Sequence, residues 1–194
     1  MRPLLLAALL LLPAHAGEGR RMDAQLSWRP TRASAELRLS PATLLKLDGR
    51  PVQVAPFTEG RPDPVLIAEN REDADKVHRL TTHDDVPAWI TAQVKALSRD
   101  LGLQVAEAPG GRVIRGEVRR FFVLETDQYL AEVRLKVTLE QDGRPRWAGL
   151  AVGSAKKFGR SFKVENYQEV LSDALQDAWA SLLRDPEFLA ALTD

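Results

Sequence analysis

YLAEVRLKVTLE, residues 129–140, is the stretch on which the fold turns. Tyr129, Ala131, Val133, Leu135, Val137 and Leu139 fall on one side of an extended chain. Glu132, Arg134, Lys136 and Glu140 fall on the other. Strict alternation of this kind makes a strand with one buried face and one wet face. Downstream, Asp142-Gly143 is a hairpin turn signal, and RWAGLAVGSA (146–155) is the returning strand. Upstream, RVIRGEVRRFFVLE (112–125) places Ile114, Gly116, Val118, Phe122 and Leu124 on alternate positions. The three runs predict an antiparallel meander.

Helical spacing flanks the meander on both sides. Asp84 and Asp85 precede Val86-Pro87, an acidic cap with proline in the first turn. Trp89, Ile90, Val94, Leu97 and Leu101 then recur at helical intervals, and Gly102 closes the pattern. After the meander, Asn166 with Glu169 three residues on reads as a capping box. Val170, Leu171, Ala174, Leu175, Ala178, Trp179 and Leu182 follow as a broad apolar stripe. Asp185-Pro186 starts a short last helix ending at Leu192. The fold class is therefore α+β: a two-layer sandwich of a mostly antiparallel sheet, about 4–6 strands, with two main helices on one face. The wet face of that sheet carries Glu132, Arg134 and Lys136.

The earlier half is less periodic. AELRLS (35–40) alternates, and Asp48-Gly49 reads as a turn between two strand-like runs. Pro109-Gly110-Gly111 reads as a further turn. Residues 58–85 are mostly polar and read as a long loop with a short strand at Val65–Ile67. Loops longer than about 15 residues are uncommon in compact domains and often carry function. Residues 17–34 read as a flexible or loosely docked segment that Trp28 pins to the body, and residues 35–194 as a single α+β domain.

Residues 1–16 read as a signal peptide: Arg2, an apolar run from Leu4 to Leu12, then Pro13 and Ala14-His15-Ala16. The run is too short for a membrane span, which needs about 20 apolar residues. The expectation is export across the inner membrane, cleavage after Ala16, and a periplasmic or outer-membrane-associated product with no transmembrane span. The chain has no cysteine, which excludes a cysteine-linked lipid anchor, disulfides, thiol catalysis and thiolate metal sites. Lys and Arg number 27, as do Asp and Glu, and losing Arg2 with the leader tips that balance by one negative charge. No whole-chain attraction to nucleic acid follows.

Little in the sequence points to catalysis. His78 and His83 lie five apart, off any common helix face, and the nearby aspartates meet no metal-ligand spacing. Ser154-Ala-Lys-Lys157 matches S-x-x-K, but the S-D-N and K-T-G partners are missing. The expectation is no catalytic residue, no metal and no cofactor. One cluster stands out. In KKFGRSFK (156–163), Lys156, Lys157, Arg160 and Lys163 interleave with Phe158 and Phe162 between the last strand and the last long helix. It reads as a contact for an anionic surface, lipid or glycan, or for a protein partner. The simpler account is a solvated strand end with both phenylalanines tucked into the core.

Three stretches together resemble the YajG family of bacterial envelope lipoproteins. VQVAPFTEGRPDPVLIAENRE is similar to that family's early strand, arginine-containing turn and IGxxR-like segment, with Ala68 where glycine is usual. VPAWITAQVKALSRDLGLQV is similar to its amphipathic helix, and residues 129–192 to its hairpin, crossover and long terminal helix. The resemblance implies a small envelope domain without assigned catalytic residues. The missing cysteine departs from the family pattern. The expected role is a non-catalytic envelope accessory or binding protein acting through protein–protein contacts. The alternatives are a carrier or sensor of a lipid or glycan amphiphile and, more remotely, a hydrolase using Ser154 or the acids of the long loop 58–85.

Overall fold

A computed structural model describes residues 17–33, 37–73, 75–107 and 111–194. The expected leader and the Pro109-Gly110 part of the expected turn lie outside the described residues. The chain opens with β1 (Gly17–Asp23) and α1 (Pro41–Leu47). Four short strands follow: β2 (Val52–Val54), β3 (Thr58–Glu59), β4 (Leu66–Asn70) and β5 (Lys76–Thr81). Then come α2 (Val86–Asp100) and β6 (Val105–Ala106). The long meander is β7 (Arg112–Glu125), β8 (Gln128–Gln141) and β9 (Arg144–Phe158), and α3 (Val164–Leu182) and α4 (Pro186–Thr193) end the chain.

Among the described residues one sheet holds nine strands, more than the expected 4–6. The two long ladders, β7–β8 and β8–β9, are antiparallel. The extra strands are short and borrow their order from β7, which carries three of them end to end along one side. Gln53 and Val54 pair with Val113 and Ile114, Thr58 and Glu59 with Glu117 and Val118, and Ala68–Asn70 with Val123–Glu125, all parallel. Runs of two or three residues are too short to show a period of their own. The stretch 58–85, expected as a long loop with a short strand at Val65–Ile67, contains β3, β4 at Leu66–Asn70 and β5.

Three local readings change for physical reasons. Residues 41–47 are helical rather than extended, because Ser40 Oγ accepts from Thr43 N (3.1 Å) and Pro41 starts the helix. Asp48-Gly49 thus follows a helix, not a strand. At the start of α3, Asn166 is not the cap; Lys163 holds that position without a side-chain bond. In β7 a bulge between Val118 and Arg120 inserts one residue. Ile114 and Val118 face inward before it, and Phe121, Val123 and Glu125 after it. One extra residue exchanges the two faces of a strand, so Phe122 and Leu124 are not on the buried face that simple alternation assigned them.

The hairpin reading holds. Asp142 (φ 51°) and Gly143 (φ 76°) form the two-residue connection between β8 and β9, the double positive φ that a type I′ turn requires. α3 lies on β8 and β9 and buries Tyr167, Val170, Leu171, Leu175 and Trp179. It approaches β9 so closely that a Cβ on Gly153 would stand 2.2 Å from the backbone of Ala174 and Ala178. α2 buries Val86, Ile90, Val94 and Leu97 in the same core. The two helices are tied by Trp179 Nε1, which donates to Ser98 Oγ at 2.9 Å. Arg134 and Lys136 on the far side of the sheet are exposed.

Residues 17–34, expected as flexible or loosely docked, begin as β1, which pairs parallel with β5. The chain then runs along α3. Gln168 Nε2 donates to Gln25 O (2.7 Å), Arg29 N to Ser172 Oγ (3.0 Å) and Thr31 N to Asp173 Oδ1 (2.7 Å). Trp28 packs on Trp89, with ring centroids 5.9 Å apart. Among the described residues no helix is long and apolar enough to cross a membrane.

Candidate functional site

The basic crossover between β9 and α3 is spread over several faces. Lys156 and Lys157 are neighbours on a strand and project to opposite sides of it. Lys156 is exposed on the outer face, opposite Leu130 of β8. Lys157 turns the other way and is held by Glu169 and by Asn166 Oδ1 (2.8 Å). Arg160 lies 3.5 Å from Glu72, and Lys163 is exposed at the start of α3. Phe158 is 87% exposed, whereas Phe162 packs against His78 and Tyr167. The four cations therefore do not form one cluster, and only one of the two phenylalanines is tucked in. Ser154 and Lys157 also project from opposite faces, and Ser154 N donates to Asp177 Oδ2 at 3.1 Å. The S-x-x-K pair is not assembled.

What holds the crossover is a buried carboxylate that the sequence does not advertise. Glu125, at the end of β7, has no exposed surface. It accepts from Tyr167 Oη, from Ser161 N (2.9 Å) and from Phe162 N (3.2 Å). Burial pushes its carboxyl up, but these bonds and one from Asn70 outweigh burial and hold it below the ordinary glutamate range. Burial and the adjoining Glu125 carboxylate push the Tyr167 hydroxyl well up, so it stays a proton donor. Tyr129 Oη, Ser161 Oγ and Asn166 Nδ2 extend the network. Phe162 adopts φ 44°, in the left-handed region that side chains seldom enter. The two backbone N–H bonds to Glu125 hold it there. Beside this loop a cleft of about 480 Å³ is lined by Arg20, Asn70, Glu72, Asp73, His78, Ser161 and Phe162.

The other prominent surface is the free side of β9. This strand runs for 15 residues and, among the described residues, pairs only with β8. Leu150, 61% exposed, and Val152, 45% exposed, point outward from it. They stand opposite Lys136 and Arg134. A long open strand with apolar outward residues is a template for pairing with another chain. Asp177 takes the N–H of Ser154 and covers part of the edge.

No known sequence family matches the chain, and no curated protein does. Solved structures do. The chain is similar to protein XCC0632 of Xanthomonas campestris, of the DUF330 family, with TM-score 0.57 and 14% identity over 88% of this chain and 96% of that one. It is also similar to an uncharacterized protein, with TM-score 0.50 and 12% identity over 86% of this chain and 97% of that one. At such identities the likeness is one of fold.

Of the side chains just described, the sequence pointed to Lys156, Lys157, Arg160 and Lys163 and missed Glu125 and Tyr167. A signal for Glu125 was present. It follows the apolar run Phe121–Leu124 and precedes a tight return, where a charged residue must either leave the sheet or find donors. The bulge that turns it inward left one mark in the alternation: Arg120, a charge on the position that an unbroken strand would bury.

Proposed function

We propose that this chain is a non-catalytic accessory or binding protein of the bacterial cell envelope, YajG-like in type, that works by contact with another protein. The observation that carries this reading is the open side of β9 with Leu150 and Val152 exposed beside it. The export leader supports the envelope location. The unassembled Ser154–Lys157 pair supports a role without catalysis.

In this reading an extended segment of the partner pairs with β9 and buries Leu150 and Val152. Main-chain bonds supply affinity, and the alternate side chains supply selectivity. Charges placed at those two positions oppose such pairing. The test is cross-linking in intact cells followed by isolation of the chain, alongside the double variant Leu150→Lys, Val152→Lys. One or more specific envelope proteins should accompany the natural chain and be lost from the variant, with the melting temperature of both nearly equal. The reading fails if nothing specific accompanies the natural chain, or if the variant keeps the same companions.

A further inference from the structure

A second, smaller cleft lies on another part of the sheet and is independent of the β9 contact. Beyond Glu59, at the end of β3, the chain leaves β7, and it rejoins β7 only at Ala68 in β4. Between those points, residues 119–122 of β7 have no strand partner on that side among the described residues, and the bulge falls here. The gap forms a cleft of about 200 Å³ lined by Arg61, Pro62, Asp63, Leu66, Arg119, Arg120, Phe121 and Phe122. Bulges commonly re-aim side chains next to sites. This one leaves the adjacent Arg119 and Arg120 both exposed.

The three arginines differ in how they are held. The Arg61 side chain is only 4% exposed, and Glu59 grips it in a fork, Nε to Oε1 at 3.0 Å and Nη2 to Oε2 at 2.7 Å. Its Nη2 also donates to Pro64 O at 2.6 Å, while its Nη1 is buried without a hydrogen-bond partner. Burying a guanidinium with an unused donor costs free energy, but this Nη1 is enclosed, so the donors open to a ligand are those of Arg119 and Arg120. Arg119 meets Glu117 at 2.9 Å, and Arg120 meets Glu132 at 2.5 Å while lying over the Phe122 ring at 5.1 Å. Asp63 is occupied by the N–H groups of Val65 and Leu66.

The carboxylates balance the arginines, so the cleft is not a bare cationic patch. Its capacity lies in donors: a guanidinium carries more N–H groups than one carboxylate can accept. Pro62, Leu66 and Phe122 supply apolar wall beside those donors. Clefts for drug-sized ligands span about 300–1,000 Å³, so this one holds a head group and a few carbons.

We propose that this cleft binds a short-chain organic oxyanion, a carboxylate or phosphate ester, with its head on the exposed Arg119 and Arg120 and its chain against Pro62, Leu66 and Phe122. The test titrates the purified chain with hexanoate, hexyl phosphate, inorganic phosphate and hexanol, following the amide resonances of residues 60–66 and 119–122. At least one of the two hexyl anions should saturate these shifts, and the preferred one identifies the head group. Phosphate alone and hexanol alone should bind about tenfold more weakly or worse, because each lacks one half of the recognition. The variant Arg119→Gln, Arg120→Gln alters two exposed side chains and should lose about tenfold in affinity while keeping the resonance pattern of the core. The proposal is overturned by any of three results: no saturable shift with either anion, equal binding of hexanol or of inorganic phosphate, or unchanged affinity in a folded double variant.

Discussion

At Glu125, one side chain bonds to both backbone and helix across a gap in sequence. Three donors converge on it from the crossover and from α3. Glu125→Gln keeps an acceptor for Ser161 N and Phe162 N but removes the charge they share, and should lower stability by about 1–3 kcal/mol in chemical denaturation. Folding holds this carboxyl below its ordinary range, so in acid the folded chain binds fewer protons than the unfolded one. Its contribution is therefore complete above the ordinary glutamate range and is lost as pH falls through and below it. Denaturation midpoints measured across that interval should fall more steeply for the natural chain than for Glu125→Gln. Ser98 makes a parallel case in the core. Ser98→Ala leaves Trp179 Nε1 without an acceptor and should cost about 1–3 kcal/mol by thermal or chemical unfolding.

At the scale of elements, the closest approach is between β9 and α3. Gly153→Val drives a side chain into the backbone of Ala174 and Ala178 and should cost about 3 kcal/mol or more, read as a lowered denaturation midpoint. The long elements were plain in the sequence because each buries one face over many residues. β8 shows strict alternation, α2 a capped helical stripe, and Asp142-Gly143 the one turn chemistry that fits a two-residue hairpin. The short elements were not plain, and each failure has its own cause. β2, β3 and β6 have two or three residues apiece; β2 and β3 exist because β7 offers them a paired edge, and β6 because β2 does. α1 holds Leu44, Leu45 and Leu47, too short a run to separate a strand from a helix, and Ser40 and Pro41 decide between them. The bulge in β7 puts Phe121 on the buried face, so periodicity alone misassigned Phe122 and Leu124. The basic crossover was legible as a place, but the scatter of its four cations was not, because their directions depend on strand parity and on Glu169 and Glu72.

For the molecule as a whole, the organising fact is that its first described strand closes one margin of the sheet while the following residues are fastened to α3. Asp173 is the main clasp: it accepts from Thr31 N and from Thr31 Oγ1 at 2.5 Å. Asp173→Ala should speed amide exchange in residues 25–32 by about tenfold or more while leaving β8 protected. The groups joined at this clasp are 142 positions apart along the chain. Contacts of such span are closed late, because a long loop must be ordered before they form. β1 can pair with β5 before α3 is made, but residues 25–31 have nothing to fasten to until the residues of α3 have been synthesised. A chain shortened before α3 would keep a partner for β1 and lose the fastening of the stretch that follows it.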